Sequence, residues 1–294
     1  MKFDVNVRAD FLEISDELFA QVGKLITERF GIKMPADKKT MFQARLQKRL
    51  LELNISSFDQ YVSTLFDGDE TTAEFELLSD YISTNKTEFF REEDHFKLLS
   101  ELVIPGYLKN IRFSARENFR IWSAGCSSGQ EAYSIAIQIE EFIRFSGIKF
   151  NYSIVATDIS QRMLKQAKEA IYPMAQVDNI PLEIKKRYML KSKNPEEMKI
   201  RIVKELREKL TVAYLNLMDL KYPFTGEFDV IFLRNTLIYF EPVVQLEVLS
   251  KILDCLKPGG YLFIGHSESI INLSLPIKAV APSIYFKLKN RDDE

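Results

Sequence analysis

An α/β protein with a largely parallel sheet, preceded by an all-helical unit, is the fold class this sequence predicts. Three observations lead there. Apolar residues recur at helical spacing from Ser15 to about Ser83; beyond Glu117, strand-like and helix-like stretches alternate; and a turn from Gly125 to Gly129 joins the first of those strands to the first of those helices.

The helical unit opens with Leu18, Val22, Leu25 and Ile26 at helical spacing, with Ser15 as start signal and Gly31 as stop. A second helix, about 36–53, is expected to bury Met41, Leu46, Leu50 and Leu53 and carries the cations Lys38, Lys39, Arg45, Lys48 and Arg49. Arg45 and Arg49 are one turn apart and share a face. That face reads either as a solvated surface or as a docking strip for an acidic partner, since arginine holds a carboxylate through two parallel hydrogen bonds. Two shorter helices are expected at 57–66 and 70–82, parted by Asp67-Gly68-Asp69.

The segment Ser83-Thr-Asn-Lys-Thr-Glu-Phe-Phe-Arg-Glu-Glu-Asp-His-Phe96 has no clear period and leads into a helix ending near Pro105. It stands where two domains join. Phe89, Phe90 and Phe96 are too apolar for a bare linker, so the segment is expected to pack against something.

In the alternating region the expected strands are 119–123, 152–157, 211–215, 228–233 and 260–264. Helices are expected at about 130–145, 161–170 and 243–256, the last stopped by Lys257-Pro-Gly-Gly260, and an antiparallel edge hairpin at 277–280 and 283–287. Residues 172–210 are long for a crossover and read as an inserted hairpin.

Composition narrows the function. The 294 residues are 46% hydrophobic and 28% charged, and 40 basic against 42 acidic residues leave a formal charge of -2, so nothing global favours nucleic acid or an anionic membrane. No apolar run approaches a membrane span and the start lacks a signal-peptide core, which makes the cytoplasm the expected location. Cys126 and Cys255 suggest no disulfide framework, and with only His95 and His266 no metal cluster is expected.

In open parallel sheets ligands bind beyond the carboxyl ends of the strands. Those ends carry Gly125 to Glu131, Asp158, Asn216-Leu217, Arg234-Asn235 with Tyr239, and His266-Ser-Glu268. The glycine turn allows close approach of a ligand to backbone N–H groups, but its Gly-x-x-x-Gly spacing matches neither a dinucleotide fingerprint nor a phosphate loop. Asp158 suits a ribose-binding carboxylate; capping of the following helix is the alternative. Glu131 reads also as a first-turn helix charge, Arg234 as an edge cation and Tyr239 as core.

Six blocks carry a resemblance: Asn85-Lys-Thr-Glu-Phe-Phe-Arg91, Ala124-Gly-Cys-Ser-Ser-Gly-Gln-Glu131, Ala156-Thr-Asp158, Leu215-Asn-Leu217, Phe232-Leu-Arg-Asn235 with Ile238-Tyr-Phe240, and Gly265-His-Ser-Glu268. In order and spacing they resemble the chemotaxis receptor methyltransferases, the CheR family. The resemblance implies a helical receptor-docking domain (1–84), an interdomain linker and helix (85–116), and a Rossmann-like S-adenosylmethionine-dependent methyltransferase domain (117–294) with a small inserted β subdomain (172–210). It implies glutamate O-methylation on receptor cytoplasmic domains, with S-adenosylhomocysteine as by-product, in a monomer that neither inserts into membrane nor binds nucleic acid. Asn85, Thr87, Arg91, Gly125, Glu131, Asp158, Asn216, Leu217, Arg234 and Asn235 would hold the cofactor. Arg91 and Tyr239 would orient the reacting carboxylate, and Arg45, Lys48 and Arg49 would dock the receptor. One departure is Ser192-Lys-Asn-Pro195, which replaces the glycine-rich turn of members that tether a receptor peptide, so tethering does not carry over. The competing classes are a non-catalytic cofactor-binding scaffold, against which Arg91, Glu131, Asp158 and Tyr239 all count, and a nicotinamide dehydrogenase, against which the missing Gly-x-Gly counts.

Overall fold

The structure, a computed structural model, describes residues 12–66, 71–110, 118–224, 226–270 and 275–288. Two compact units emerge, Met1–Thr84 and Asn85–Glu294.

The first unit holds α1 (Asp16–Phe30), α2 (Lys39–Glu52), α3 (Phe58–Phe66) and α4 (Thr71–Ile82). Ser15 caps α1 by accepting the Leu18 N–H, and Gly31 closes it in the left-handed conformation that glycine tolerates. A 3₁₀ turn, Ala36–Lys38, precedes α2, whose buried side is Phe42, Leu46 and Leu50. Met41 and Leu53 were expected there. Instead Met41 is half-buried and Leu53 exposed, because the i, i+4, i+8 row through Leu46 and Leu50 starts at Phe42. The expected turn Asp67-Gly68-Asp69 and the helix start at Glu70 lie outside the described residues.

In the second unit α5 (Glu93–Leu98) continues through a π turn at Leu99–Val103 into α6 (Ile104–Asn110). The helix was expected to end near Pro105. Instead it runs on to Asn110, and Pro105 directly follows the π turn, where the hydrogen-bond ladder has already shifted register, as the Ile104 N–H donating to the Leu99 carbonyl shows. Phe89, Phe96, Leu99, Val103 and Ile104 join Phe119 and Ile121 in one core cluster.

The main sheet comprises β1 (Asn118–Ala124), β2 (Asn151–Asp158), β6 (Leu210–Tyr214), β7 (Phe228–Leu233), β8 (Leu256–Ile264), β9 (Ile277–Ala281) and β10 (Ile284–Lys287), in the order β6-β2-β1-β7-β8-β10-β9. The first five strands in that order run parallel, while β10 is antiparallel to both its neighbours. Strand β8 starts before the expected Gly260: Lys257-Pro-Gly-Gly260 forms a bulge between the pairs Phe228–Leu256 and Val230–Tyr261. Gly259 there has φ +82°, and a Cβ on Gly260 would stand 2.9 Å from the Asp229 carbonyl oxygen.

Helices α7 (Gln130–Ser146), α8 (Gln161–Glu169) and α11 (Pro242–Cys255) supply crossovers. The insert is more than a hairpin. Strands β3 (Ile171–Pro173), β4 (Met189–Lys191) and β5 (Lys199–Ile202) form a second sheet, β3-β5-β4, with α9 (Leu182–Tyr188) leading into β4 and α10 (Lys204–Arg207) following β5. Glu141 of α7 anchors it: one carboxylate oxygen accepts from Arg187 at 2.6 Å and Tyr188 at 2.7 Å, the other from Arg144 at 2.7 Å.

Candidate functional site

Strand order turns back between β1 and β7, and the chemistry-bearing residues gather at the carboxyl ends around that point. After β1 the turn hangs from the end of β2, since the Gly125 and Cys126 N–H groups both donate to the Thr157 carbonyl, at 2.8 and 2.9 Å. Gly125 (φ +79°) and Gly129 (φ +92°) take conformations disfavoured for other residues, and a Cβ on Gly129 would meet the Ala167 Cβ at 2.9 Å. Burial, then Asp158 and Glu131, raise the Cys126 thiol well above its ordinary pKa, so it is an inert part of the turn.

Asp158 is buried at the end of β2. One oxygen accepts the Ser127 N–H at 2.8 Å and the other the Ser160 N–H at 2.9 Å. Capping of α8 falls to Ser160, which accepts from Met163; the helix-cap alternative for Asp158 is thereby corrected. Ser127 Oγ donates to the Asn85 carbonyl at 3.2 Å, tying the segment before α5 to this turn.

Glu131, on the first turn of α7, accepts from Ser123 Oγ at 2.7 Å and from Arg234 Nη1 at 3.1 Å. Burial raises its carboxyl pKa above the usual carboxylate range, an effect that Arg234 and Ser123 offset only in part. Arg234 is no edge cation, for its side chain is only 1% exposed. Its Nη2 donates to Glu92 at 3.0 Å and to the Arg91 carbonyl, its guanidinium lies 5.6 Å over the Phe96 ring, and its buried Nε has no hydrogen-bond partner among the described residues. An orphaned buried N–H of this kind awaits an acceptor.

Asn235 (φ +56°) donates from Nδ2 to Glu92 at 3.3 Å and from its backbone N–H to Glu268 at 2.9 Å. Glu268 also accepts the N–H groups of Gly265 at 2.6 Å, Leu237 at 2.7 Å and Ile238 at 3.3 Å, knitting the loop after β7 to that after β8. Tyr239 ends a 3₁₀ turn, Leu237–Tyr239, and is half-buried. Asn216 and Leu217 are buried in the loop after β6, where Asn216 Oδ1 accepts the Met218 N–H at 2.9 Å. Thr87 and Arg91 are half-buried, and Arg91 Nη1 donates to the Lys86 carbonyl at 3.2 Å.

Hydrogen bonds thus link Asn85, Ser127 and Asp158 in one chain, and Glu131, Arg234, Arg91, Glu92 and Asn235 in another. Arg45, Lys48 and Arg49 belong to the first unit. There Arg45 Nη1 donates to the carbonyls of Tyr81 and Ser83, both at 3.0 Å, and Arg49 pairs in two places with Glu74, at 2.9 and 2.6 Å. Arg49 is 17% exposed and Lys48 79%.

Sequence reasoning assigned no role to Glu92, His95 or Glu268. Glu268 was within reach, since it sits in a strand-end block; Glu92 follows Arg91 directly and His95 comes shortly after, but nothing in their spacing shows what they face. The fold brings potential ligand atoms of Glu92, His95 and His266 within 4.8 Å of one another, two histidines that look unrelated in sequence, although Arg234 already holds the Glu92 carboxylate. His95 is fully buried, and neither ring nitrogen makes a hydrogen bond among the described residues. Burial, then Arg234, push its pKa down to about 3, so the ring is neutral.

The residues fit an adenosyl amino-acid ligand. The glycine turn leaves room for backbone approach, Asp158 offers a buried carboxylate at the end of β2, and Glu131 beside the Arg234 Nε offers complementary partners for an ammonium and a carboxylate. Residues 85–285 match the model for the CheR methyltransferase SAM binding domain, and residues 17–83 that for the CheR methyltransferase all-alpha domain. The protein is therefore an S-adenosylmethionine-dependent methyltransferase.

More narrowly, the chain belongs to the CheR family, whose enzymes serve chemotaxis. It is 34% identical to a chemotaxis protein methyltransferase of Borreliella burgdorferi over 97% of this chain and 98% of the relative. To chemotaxis protein methyltransferase 2 of Pseudomonas aeruginosa it is 34% identical over 92% of each chain, and to the Salmonella typhimurium enzyme 32% over 95% and 93%. No helix among the described residues is long and apolar enough to cross a membrane.

Proposed function

We propose that this methyltransferase esterifies the γ-carboxylates of glutamate side chains on the cytoplasmic domain of a chemoreceptor, and works in the cytoplasm. The observation that supports this reading is at Arg91: its backbone carbonyl accepts from Arg234, a candidate cofactor partner, while its half-buried guanidinium gives one bond to the Lys86 carbonyl and has further donors for a carboxylate.

Glu131 and Arg234 would hold the amino-acid end of S-adenosylmethionine and Asp158 its ribose. Asn216 and Leu217 would border the adenine, and the glycine turn, Asn85, Thr87 and Asn235 would complete the enclosure. The cofactor supplies a methyl group on a positively charged sulfur. An acceptor glutamate, with an unperturbed pKa of about 4.3, is already ionised at neutral pH, so no general base is required. The protein's part is alignment: Arg91 and Tyr239 orient the carboxylate, and a dry site strengthens its attraction to the cationic donor. Too tight a grip by Arg91 would blunt the nucleophile, so its role is orientation. For receptor docking, Lys48 offers its charge at the surface, with Arg45 and Arg49 contributing charge from positions fixed within the helical unit.

The test is transfer of labelled methyl groups to receptor cytoplasmic domains. Label released by mild base and mapped to glutamates is expected; base-stable label, or none, would reject the proposal. Arg91→Ala should slow transfer about 100-fold, far more than it weakens S-adenosylhomocysteine binding; equal losses of both would refute the assignment.

A further inference from the structure

We propose that Glu92 is a positioning residue for methyl transfer, clamping the segment that carries Arg91 onto the loops after β7 and β8. The inference rests on the assignment of Arg91 to carboxylate orientation.

Arg91 stands between two residues in the left-handed region, Phe90 at φ +55° and Glu92 at φ +58°. Neither is glycine, and such backbone persists only where its surroundings hold it. Three fastenings do so. The Phe90 N–H donates to Ser134 Oγ at 2.9 Å, and that hydroxyl donates to the Gln130 carbonyl of α7 at 2.7 Å. The Arg91 carbonyl accepts from Arg234. The Glu92 carboxylate takes the largest share, accepting from Arg234 Nη2 at 3.0 Å and the His266 N–H at 3.3 Å on one oxygen, and from Asn235 Nδ2 at 3.3 Å on the other. Two strand-end loops therefore converge on one side chain.

Arg234 Nη2, Asn235 Nδ2 and the His266 N–H face that carboxylate as donors, and the His95 ring stands beside it with Nδ1 3.5 Å away. Burial alone would raise the Glu92 pKa, yet Arg234, Asn235 and the His266 N–H hold it below the usual carboxylate range. Charge and acceptor capacity matter here, beyond shape. Arg234 is moreover shared between Glu92 and Glu131, two carboxylates on one guanidinium, so the clamp on Arg91 and the cofactor-side carboxylate draw on the same group.

Glu92→Gln keeps the size but turns an amide N–H₂ toward donors. Single-turnover methyl transfer and calorimetry with S-adenosylhomocysteine are compared for wild type, Glu92→Gln, Arg91→Ala and the double variant. We expect Glu92→Gln to slow transfer about 100-fold with S-adenosylhomocysteine affinity within about 3-fold, and the double variant to be no slower than Arg91→Ala within about 3-fold, because Glu92 acts through Arg91. Losses that multiply, an affinity loss as large as the rate loss, or wild-type transfer by Glu92→Gln would each overturn the proposal. Arg91→Ala at the wild-type rate would instead remove the functional reading of Arg91 and this proposal with it, a pattern distinct from multiplying losses. Should Glu92→Gln not fold, Ser134→Ala releases the Phe90 fastening and faces the same comparison.

Discussion

The neutral, fully buried His95 makes the stability of the second unit depend on pH in a calculable way. A histidine with a folded pKa near 3 stays uncharged in the folded chain, whereas in the unfolded chain it takes a proton below pH 6.5. The unfolded state thus binds more protons in that window, and stability falls as the pH drops through 6.5 toward 3; above 6.5 nothing changes. Between pH 7 and pH 5 the difference amounts to about 2 kcal/mol, or roughly 4–8 °C in Tm for a unit of this size. His95→Phe keeps the ring against Phe263, loses no hydrogen bond seen among the described residues, and cannot take up a proton. Urea unfolding at pH 7, 6 and 5, followed by the fluorescence of the single, fully buried Trp122, should show the variant losing about 2 kcal/mol less than wild type across that range. Glu92, Arg234 and His266 face the same spot in both proteins, which is why the comparison is between variants and not with a fixed curve. Parallel losses, or a His95 resonance titrating near 6.5, would refute the assignment.

Three further outcomes are expected. Glu268→Ala strands four backbone N–H groups at the ends of β7 and β8 and should cost about 3 kcal/mol or more, read as a lowered urea midpoint. Gly129→Ala forces a side chain into a φ of +92° against Ala167 and should destabilise by about 2 kcal/mol and weaken S-adenosylhomocysteine binding in calorimetry; an unchanged protein would show that the turn relaxes freely. Lys48→Glu reverses an exposed charge and should lower receptor methylation at low salt, converging with wild type at high salt, while cofactor binding stays intact; equal methylation at low salt would leave α2 a solvated face.

The parallel strands were legible as short, largely apolar runs, several of them closed by turn residues such as Gly125 after β1 and Gly265 after β8, and the expected span 228–233 coincides with the observed β7. Strand β3 is three residues long, too short for any periodicity to show, and so the insert read as a hairpin. On α2 the error was one of angle: successive residues are about 100° apart, and Met41 and Phe42 compete for the same inward direction. Of the candidate residues, the strand-end rule puts Asp158, Asn216, Arg234 and Asn235 at the carboxyl edge of the sheet, and they stand there in the fold. Glu92, which ties its own segment to Arg234 and Asn235, was hidden, because its positive φ and the meeting of His95 with His266 arise from tertiary packing and leave no local pattern.

Glu141 lies on the host helix α7, yet its carboxylate is filled by Arg187 and Tyr188 of the insert and by Arg144 of the same helix. The insert is therefore not a self-contained cassette. A chimaera that exchanged residues 171–207 between such enzymes would have to bring along a matching acid on the recipient helix, or abandon Arg187 and Tyr188 at the seam. Modularity here is bounded by one side chain outside the module.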